Sequence, residues 1–104
     1  MENLEFLKKG EDIRGLVIFM KYVIKMMNLV ETKKGFARGG HYHNFSSTHF
    51  LLSGKITFKT MNLATNQEQI REYFTPCEII VEPNIAHLLI AETNCIFVES
   101  FDEE

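Results

Sequence analysis

The stretch GGHYHNFSSTHFLLSG, residues 39–54, contains three of the four histidines of this 104-residue chain. They are His41, His43 and His49. His41 and His43 are separated by one residue, so their side chains point to the same face if the segment is an extended strand. Two imidazoles on one face can share a metal ion. The spacing alone does not fix the face on which His49 lies.

The fourth histidine, His87, follows the turn-like segment EPNIA and begins the apolar run HLLIAE. A histidine that is distant in sequence and joins an HxH pair can complete a metal site on β-strands. Neutral imidazole nitrogens bind a metal such as zinc at about 2.0–2.1 Å and can leave one position open for water or substrate. The candidate ligands are therefore His41, His43, His87 and His49. An HxH pair also occurs as ordinary surface or core residues, so the metal is a hypothesis at this point.

Composition restricts the class of protein. Hydrophobic residues make up 45% of the chain and its net charge is −3, which predicts one folded domain over residues 1–104. Lys and Arg are scattered rather than clustered, so we expect no nucleic-acid partner. No apolar run is long enough to span a bilayer, and the polar N-terminus is unlike a signal peptide. We expect a cytoplasmic protein in which Cys77 and Cys95 are free, buried thiols.

The hydrophobic pattern predicts an all-β sandwich or barrel, because short apolar segments alternate with turn signals about every ten residues. Residues 16–30, LVIFMKYVIKMMNLV, are predicted to form one long strand. Gly54 and Lys55 are predicted to form a hairpin turn between the strands THFLLSG and KITFKTM. The later predicted strands are IREYF, EIIVEP, AHLLIAE and CIFVES.

Residues 35–100 resemble the cupin family. The first cupin motif contains an HxH pair, then a glutamate and finally a glycine. His41 and His43 match the pair, and Gly54 matches the glycine. The segment EPNIAHLLIA is similar to the second motif and places His87 as the third histidine. The resemblance implies a single cupin-type double-stranded β-helix, or jelly-roll, barrel. The glutamate of the motif falls on Ser47, which is a poor ligand. Either His49 replaces it, or water does, or the metal is weakly bound or absent.

A site rich in histidine favours a divalent transition metal over magnesium or calcium, because imidazole is a borderline ligand. We expect zinc first, with iron, nickel, manganese and copper as the other candidates.

A narrower resemblance lies upstream, where EDIRG and KKGFARGGHYH are similar to dTDP-4-dehydrorhamnose 3,5-epimerases and hexose 3,4-ketoisomerases. FLLSGK is similar to a segment in the cupin domain of capsular-sugar reductases. The resemblance implies that Arg38 contacts a phosphate or sugar oxygen and that His41 is a base or a metal ligand. A surface salt bridge is the alternative for Arg38. Tyr73 is the candidate acid, because Tyr42 would face away from the histidines on a regular strand.

Two functions remain open at this stage. One is a small metal-binding cupin enzyme that acts on a carbohydrate or sugar-nucleotide through isomerase-like or epimerase-like proton transfer. The other is a non-catalytic cupin module that binds a sugar or small polar ligand, and a barrel whose site has decayed is a third reading. An apolar edge strand needs cover, so residues 1–34 are predicted to contact a second copy in a homodimer.

Overall fold

The computed structural model describes residues 3–41 and 46–102, with Gly40, His41 and Asp102 described by their backbone only. This part of the chain consists of strands and connecting turns. The strands are β1 Leu4–Asp12, β2 Gly15–Tyr22, β3 Lys25–Thr32, β4 Ala37–His41, β5 Ser47–Ser53, β6 Lys55–Asn62, β7 Gln67–Phe74, β8 Cys77–Val81, β9 Ile85–Ala91 and β10 Cys95–Asp102. No helix in the described residues has the length and hydrophobicity required to cross a membrane.

The strands form two antiparallel sheets. The six-stranded sheet has the order β1-β2-β3-β10-β5-β8, and the four-stranded sheet has the order β4-β9-β6-β7. Side chains from both sheets form one buried core between them. Its members are Val30, Leu51, Ile56, Phe58, Ile79, Val81, Leu89, Ala91, Cys95 and Phe97. The predicted all-β class is confirmed, and the architecture is that of a jelly roll.

Alternation along the strands decides which residues reach the core, because successive side chains of a strand point to opposite faces. In β5, Ser47, His49 and Leu51 are buried. In β9, His87 and Leu89 are buried in the same alternating way. The two histidines therefore face inward at positions that a sandwich normally gives to apolar side chains.

The single long strand predicted for residues 16–30 is wrong, because this segment is a hairpin of β2 and β3. Tyr22 pairs with Lys25, which leaves Val23 and Ile24 as a two-residue turn. Val23 has a φ of 58°, a left-handed conformation that a β-branched residue rarely adopts. Two-residue turns usually contain glycine or asparagine. Because Val23 and Ile24 are neither of these residues, the sequence predicts an uninterrupted strand where the structure has a turn.

The predicted hairpin at Gly54 and Lys55 is also wrong, because β5 and β6 belong to different sheets. The chain crosses from one sheet to the other at Gly54, which has a φ of +100°. A Cβ atom at this position would lie 2.5 Å from the backbone oxygen of Asn94 and 2.8 Å from the Cβ of Cys95. The crossing therefore requires glycine both for its conformation and for its space.

The two cysteines are free thiols, as expected. Cys95 is buried, whereas Cys77 is only half-buried, so the expectation that both are buried holds for Cys95 alone. Burial raises the pKa of both thiols, since desolvation disfavours the thiolate.

Gly54→Ala tests the crossing. We expect it to lower the free energy of unfolding by at least ~1–3 kcal/mol, because alanine would be strained at this φ and would clash with backbone atoms. Urea denaturation followed by circular dichroism measures the change. Gly10→Ala is the matched control, since a Cβ atom there would have nothing within 4 Å. Equal unfolding midpoints for the two variants would contradict the conclusion that the crossing requires glycine at position 54.

Candidate metal centre

Three inward side chains converge between the two sheets. The potential ligand atoms of His49, His87 and Glu99 all lie within 4.8 Å of one another. His49 comes from β5 and Glu99 from β10 in the six-stranded sheet, whereas His87 comes from β9 in the opposite sheet. The group therefore spans the interior of the sandwich.

Strand register brings Glu99 and His49 together. The two residues are direct partners in the antiparallel pairing of β10 with β5, so their side chains lie side by side on the inner face. Nε2 of His49 lies 3.3 Å from Oε2 of Glu99. The imidazole is 3% exposed and the carboxylate 18% exposed, so most of the carboxylate has left bulk water. A buried carboxylate is stable only with a compensating hydrogen-bond donor or cation.

Aromatic rings enclose the histidines. The ring of His49 has its centroid 5.6 Å from that of Phe58, 5.6 Å from that of Phe97 and 5.2 Å from that of His87. Phe58 stacks on His87 with a centroid distance of 5.8 Å and an interplanar angle of 10°. These contacts restrict the rotation of both imidazoles and exclude water from their faces. The donor nitrogens are thus held in place before any ligand arrives.

The donor set fits a divalent transition metal. Ligand atoms bound to one ion at about 2.0–2.2 Å lie about 3–4 Å apart, and those of this group all lie within 4.8 Å of one another. Nδ1 of His49 is buried and has no hydrogen-bond partner among the described residues. Nε2, and not this Nδ1, is the nitrogen of His49 that faces Glu99, so Nε2 is the donor available to an ion shared with that carboxylate. Two imidazoles and a carboxylate suit zinc, iron and related ions and do not single out zinc.

A cavity of about 320 Å³ opens next to this group. Arg38, Asn28 and the three candidate ligands provide its polar lining. The apolar part of the lining comes from Val17, Phe19, Val30, Leu89, Phe97 and Phe101. A mostly apolar cavity with a few convergent polar groups is typical of a small-molecule site.

Arg38 on β4 lines the same cavity. Its Nε donates a hydrogen bond to Oγ1 of Thr32 at 3.1 Å, and its Nη2 donates to the backbone oxygen of Glu31 at 3.0 Å. Burial, together with the nearby charge of Arg14, lowers the pKa of Arg38 from its ordinary value. No carboxylate of the described residues pairs with Arg38, and its alternative role in a surface salt bridge also stays a prediction. Its predicted contact with a phosphate or sugar oxygen stays a prediction.

The structure brings together two of the four predicted ligands, His49 and His87. The backbone of His41 pairs with that of His87 across β4 and β9. The side chain of His41 and the whole of His43 lie outside the described residues, so their predicted roles in metal binding, and that of His41 in catalysis, stay predictions.

Tyr73, the predicted acid, lines a different cavity. The ring of Phe58 contacts Tyr73 edge-on at a centroid distance of 6.2 Å and stacks on His87. Tyr73 is not among the described residues that line the histidine cavity. Its catalytic role stays a prediction, and it would require a ligand that reaches past Phe58.

Glu99 is the site residue that sequence reasoning missed. The cupin motif predicts an acidic ligand at position 47, where this chain has Ser47. The structure shows Ser47 buried, with no hydrogen-bond partner for its Oγ among the described residues. The segment CIFVESF did contain a signal, because its alternation puts Glu99 on the same face as Phe97 and Phe101. A charged residue in the middle of an inward apolar face indicates a functional position.

Comparison with solved structures shows the same fold in larger proteins. The capsular polysaccharide assembling protein CapF from Staphylococcus aureus matches with a TM-score of 0.78 and 16% identity, over 96% of this chain and 31% of CapF. A single-site variant of oxalate decarboxylase from Bacillus subtilis matches with a TM-score of 0.86 and 14% identity, over 98% of this chain and 29% of the enzyme. A structure of oxalate oxidase matches with a TM-score of 0.68 and 15% identity, over 80% of this chain and 44% of that one.

These similarities establish the cupin fold, which confirms the predicted jelly-roll barrel. The chain spans less than a third of the length of CapF and of oxalate decarboxylase. No protein-family model matches the sequence, and no curated protein matches it either. The molecule is therefore a cupin-fold domain with a buried His-His-Glu group that could hold a metal ion.

Proposed function

We propose that this chain is a metal-binding cupin domain whose ion is held by His49, His87 and Glu99. The observation that supports this most directly is the convergence of two buried imidazoles and a carboxylate next to a cavity. When bound, a divalent transition metal supplies Lewis acidity toward a carbonyl oxygen of a ligand. Arg38 would bind an anionic or oxygen-rich part of that ligand, because its guanidinium presents several donors in a fixed plane.

We further propose that the ligand is a carbohydrate or sugar-nucleotide and that the reaction is a proton transfer beside its carbonyl group. Support comes from the similarity of KKGFARGGHYH to sugar-nucleotide cupins and from the position of Arg38 in the histidine cavity. A structural relative, CapF, is named for capsular polysaccharide assembly. A histidine nitrogen bound to a metal cannot accept a proton. With His49 and His87 as ligands, His41 is the histidine proposed as the base.

The alternative is a non-catalytic module that uses the same cavity to bind a sugar or small polar ligand. The position of Tyr73 outside the histidine cavity favours this reading, since no described acid other than Glu99 lines that cavity. The two readings differ in whether a bound sugar exchanges protons with water.

We also propose a homodimer formed through the N-terminal strands. Every residue of β1 is exposed, including Leu4 at 41%, Phe6 at 70% and Leu7 at 46%. β1 is the terminal strand of its sheet and, among the described strands, pairs with β2 alone. An exposed apolar edge of this kind is a template for pairing with another chain. A second copy would cover both the side chains and the unpaired edge.

Metal analysis tests the proposed ligands. After reconstitution with zinc or iron, we expect one equivalent of metal in the native protein by mass spectrometry. His49→Ala, His87→Ala and Glu99→Gln should each reduce metal affinity by at least about tenfold. Glu78→Gln, an exposed carboxylate on β8 that does not line the histidine cavity, is the control.

Native protein that binds no metal, or metal retained at full affinity by Glu99→Gln, would contradict this ligand set. Loss of metal on His41→Ala but not on Glu99→Gln would instead support the ligands predicted from the HxH motif.

Exchange with solvent tests the proposed reaction. Incubation with a dTDP-4-keto-sugar in deuterated water should introduce deuterium at the carbon beside the carbonyl, detected by NMR. Arg38→Ala should slow the exchange by about tenfold or more, because a charged hydrogen bond to the substrate is lost. A sugar that binds without exchange would favour the non-catalytic module, and a sugar that does not bind would refute both carbohydrate readings.

Sedimentation tests the proposed dimer. At micromolar concentration we expect twice the 12.1 kDa mass of the chain, and Phe6→Glu should yield monomer by placing a charge on β1. Phe74→Glu is a matched control, because Phe74 is an exposed aromatic residue, 63% accessible, on β7. A monomeric native protein, or equal dissociation of both variants, would contradict the assignment of β1 to the interface.

A further inference from the structure

A second cavity of about 270 Å³ lies on the other side of Phe58 from the histidines. Strands β6 and β7 of the four-stranded sheet form one wall, and β8 of the six-stranded sheet forms the other. Because β7 and β8 are terminal strands of their sheets, this cavity opens at the edge of the sandwich. The proposed metal centre does not use it.

The inward face of β7 is polar over its whole length. Four alternate residues of this strand line the cavity: Gln67, Gln69, Arg71 and Tyr73. A sandwich normally gives such positions to apolar side chains that pack against the opposite sheet. The outward face of the same strand instead carries Ile70 and Phe74, which are 58% and 63% exposed. Gln67, Gln69 and Arg71 are exposed, so their hydrogen-bonding groups are accessible to a molecule that enters the cavity.

The opposite wall of the cavity is apolar. Ile79 and Val81 of β8 are buried there, and the ring of Phe58 separates this space from the histidines. A molecule in the cavity would meet hydrogen-bonding groups on one side and hydrocarbon on the other. A pyranose ring has this distribution, with hydroxyl groups at its edge and C–H groups on its faces.

The charges of the cavity also fit a neutral, hydroxyl-rich molecule. Arg71 supplies donors and Glu82 supplies acceptors to the same space. No ion pair joins them within the described part of the chain, so both can bind a ligand. A site with one charge of each sign has no net preference for an anion. The amides of Gln67 and Gln69 add both donors and acceptors.

We propose that this second cavity binds a neutral sugar unit of monosaccharide size. Arg71 and Gln69 hydrogen-bond its hydroxyl groups, Glu82 accepts hydrogen bonds from the far side, and its apolar face lies against Ile79 and Val81. The volume is near the lower end of the about 300–1,000 Å³ that small-molecule sites occupy, which limits the ligand to a single ring. The inference does not rest on the metal or on the chemistry proposed for the histidine cavity.

Saturation-transfer NMR tests this site with the methyl pyranosides of glucose, galactose and mannose as probes. We expect at least one of them to bind with a millimolar dissociation constant. Arg71→Ala and Gln69→Ala should each weaken binding by about tenfold, which is ~1.4 kcal/mol. Glu72→Gln, on the outward face of the same strand, should leave it unchanged. Both Arg71 and Gln69 are exposed, so these variants should fold.

Three results would overturn the proposal. The first is the absence of binding by all three sugars. The second is binding that persists in Arg71→Ala and disappears in Arg38→Ala, which would place the sugar in the histidine cavity. The third is binding of inorganic phosphate, dependent on Arg71, in preference to the sugars, which would identify an anion site. Metal content measured on the same samples shows whether the proposed metal centre fails independently.

Discussion

The contact between Glu99 and His49 is the constraint on which the interior of this domain depends. A carboxylate that is only 18% exposed has lost most of its hydration, and the imidazole of His49 lies 3.3 Å away from it. The cost of burying an unpaired carboxylate is several kcal/mol. The sandwich can therefore keep Glu99 inside only while a hydrogen-bond donor or a metal ion faces it. His87, from the opposite sheet, completes a group that ties the two layers together.

Phe58 has a second structural role, as a partition. One face of its ring stacks on His87, and Tyr73 contacts the ring on the side of the other cavity. Phe58 on β6 pairs with Arg71 on β7. The inner face of the four-stranded sheet therefore changes from apolar core at Phe58 to polar cavity at Arg71. The two cavities are separate volumes with different polarity, and one aromatic ring stands between them. Ligand recognition in one can be measured without occupying the other.

Local pattern was sufficient to predict the all-β class and a strand that carries His87 after a turn. It did not fix the face of His49, which the structure places inward beside His87. Connectivity was harder to predict, because the relevant signals were absent or ambiguous. The Val23–Ile24 turn contains no turn-forming residue, and Gly54 suits a crossing between sheets as well as it suits a hairpin. Glu99 depended on a register between β10 and β5, strands about fifty residues apart, which no local pattern encodes.

The crossing at Gly54 makes the core sensitive to the number of residues between β5 and β6, which lie in different sheets. His49 and Phe58 are nine residues apart in the sequence but lie in opposite sheets. The crossing at Gly54 between them therefore fixes which residues of β6 face inward. Since side chains alternate along a strand, one inserted residue at this point would turn Ile56 and Phe58 outward and bring Thr57 and Lys59 inward. The number of residues between His49 and Phe58 is therefore constrained in the same way as the identity of the buried side chains. Relatives that keep both cavities should keep this glycine and the length of the segment, while its exposed residues vary.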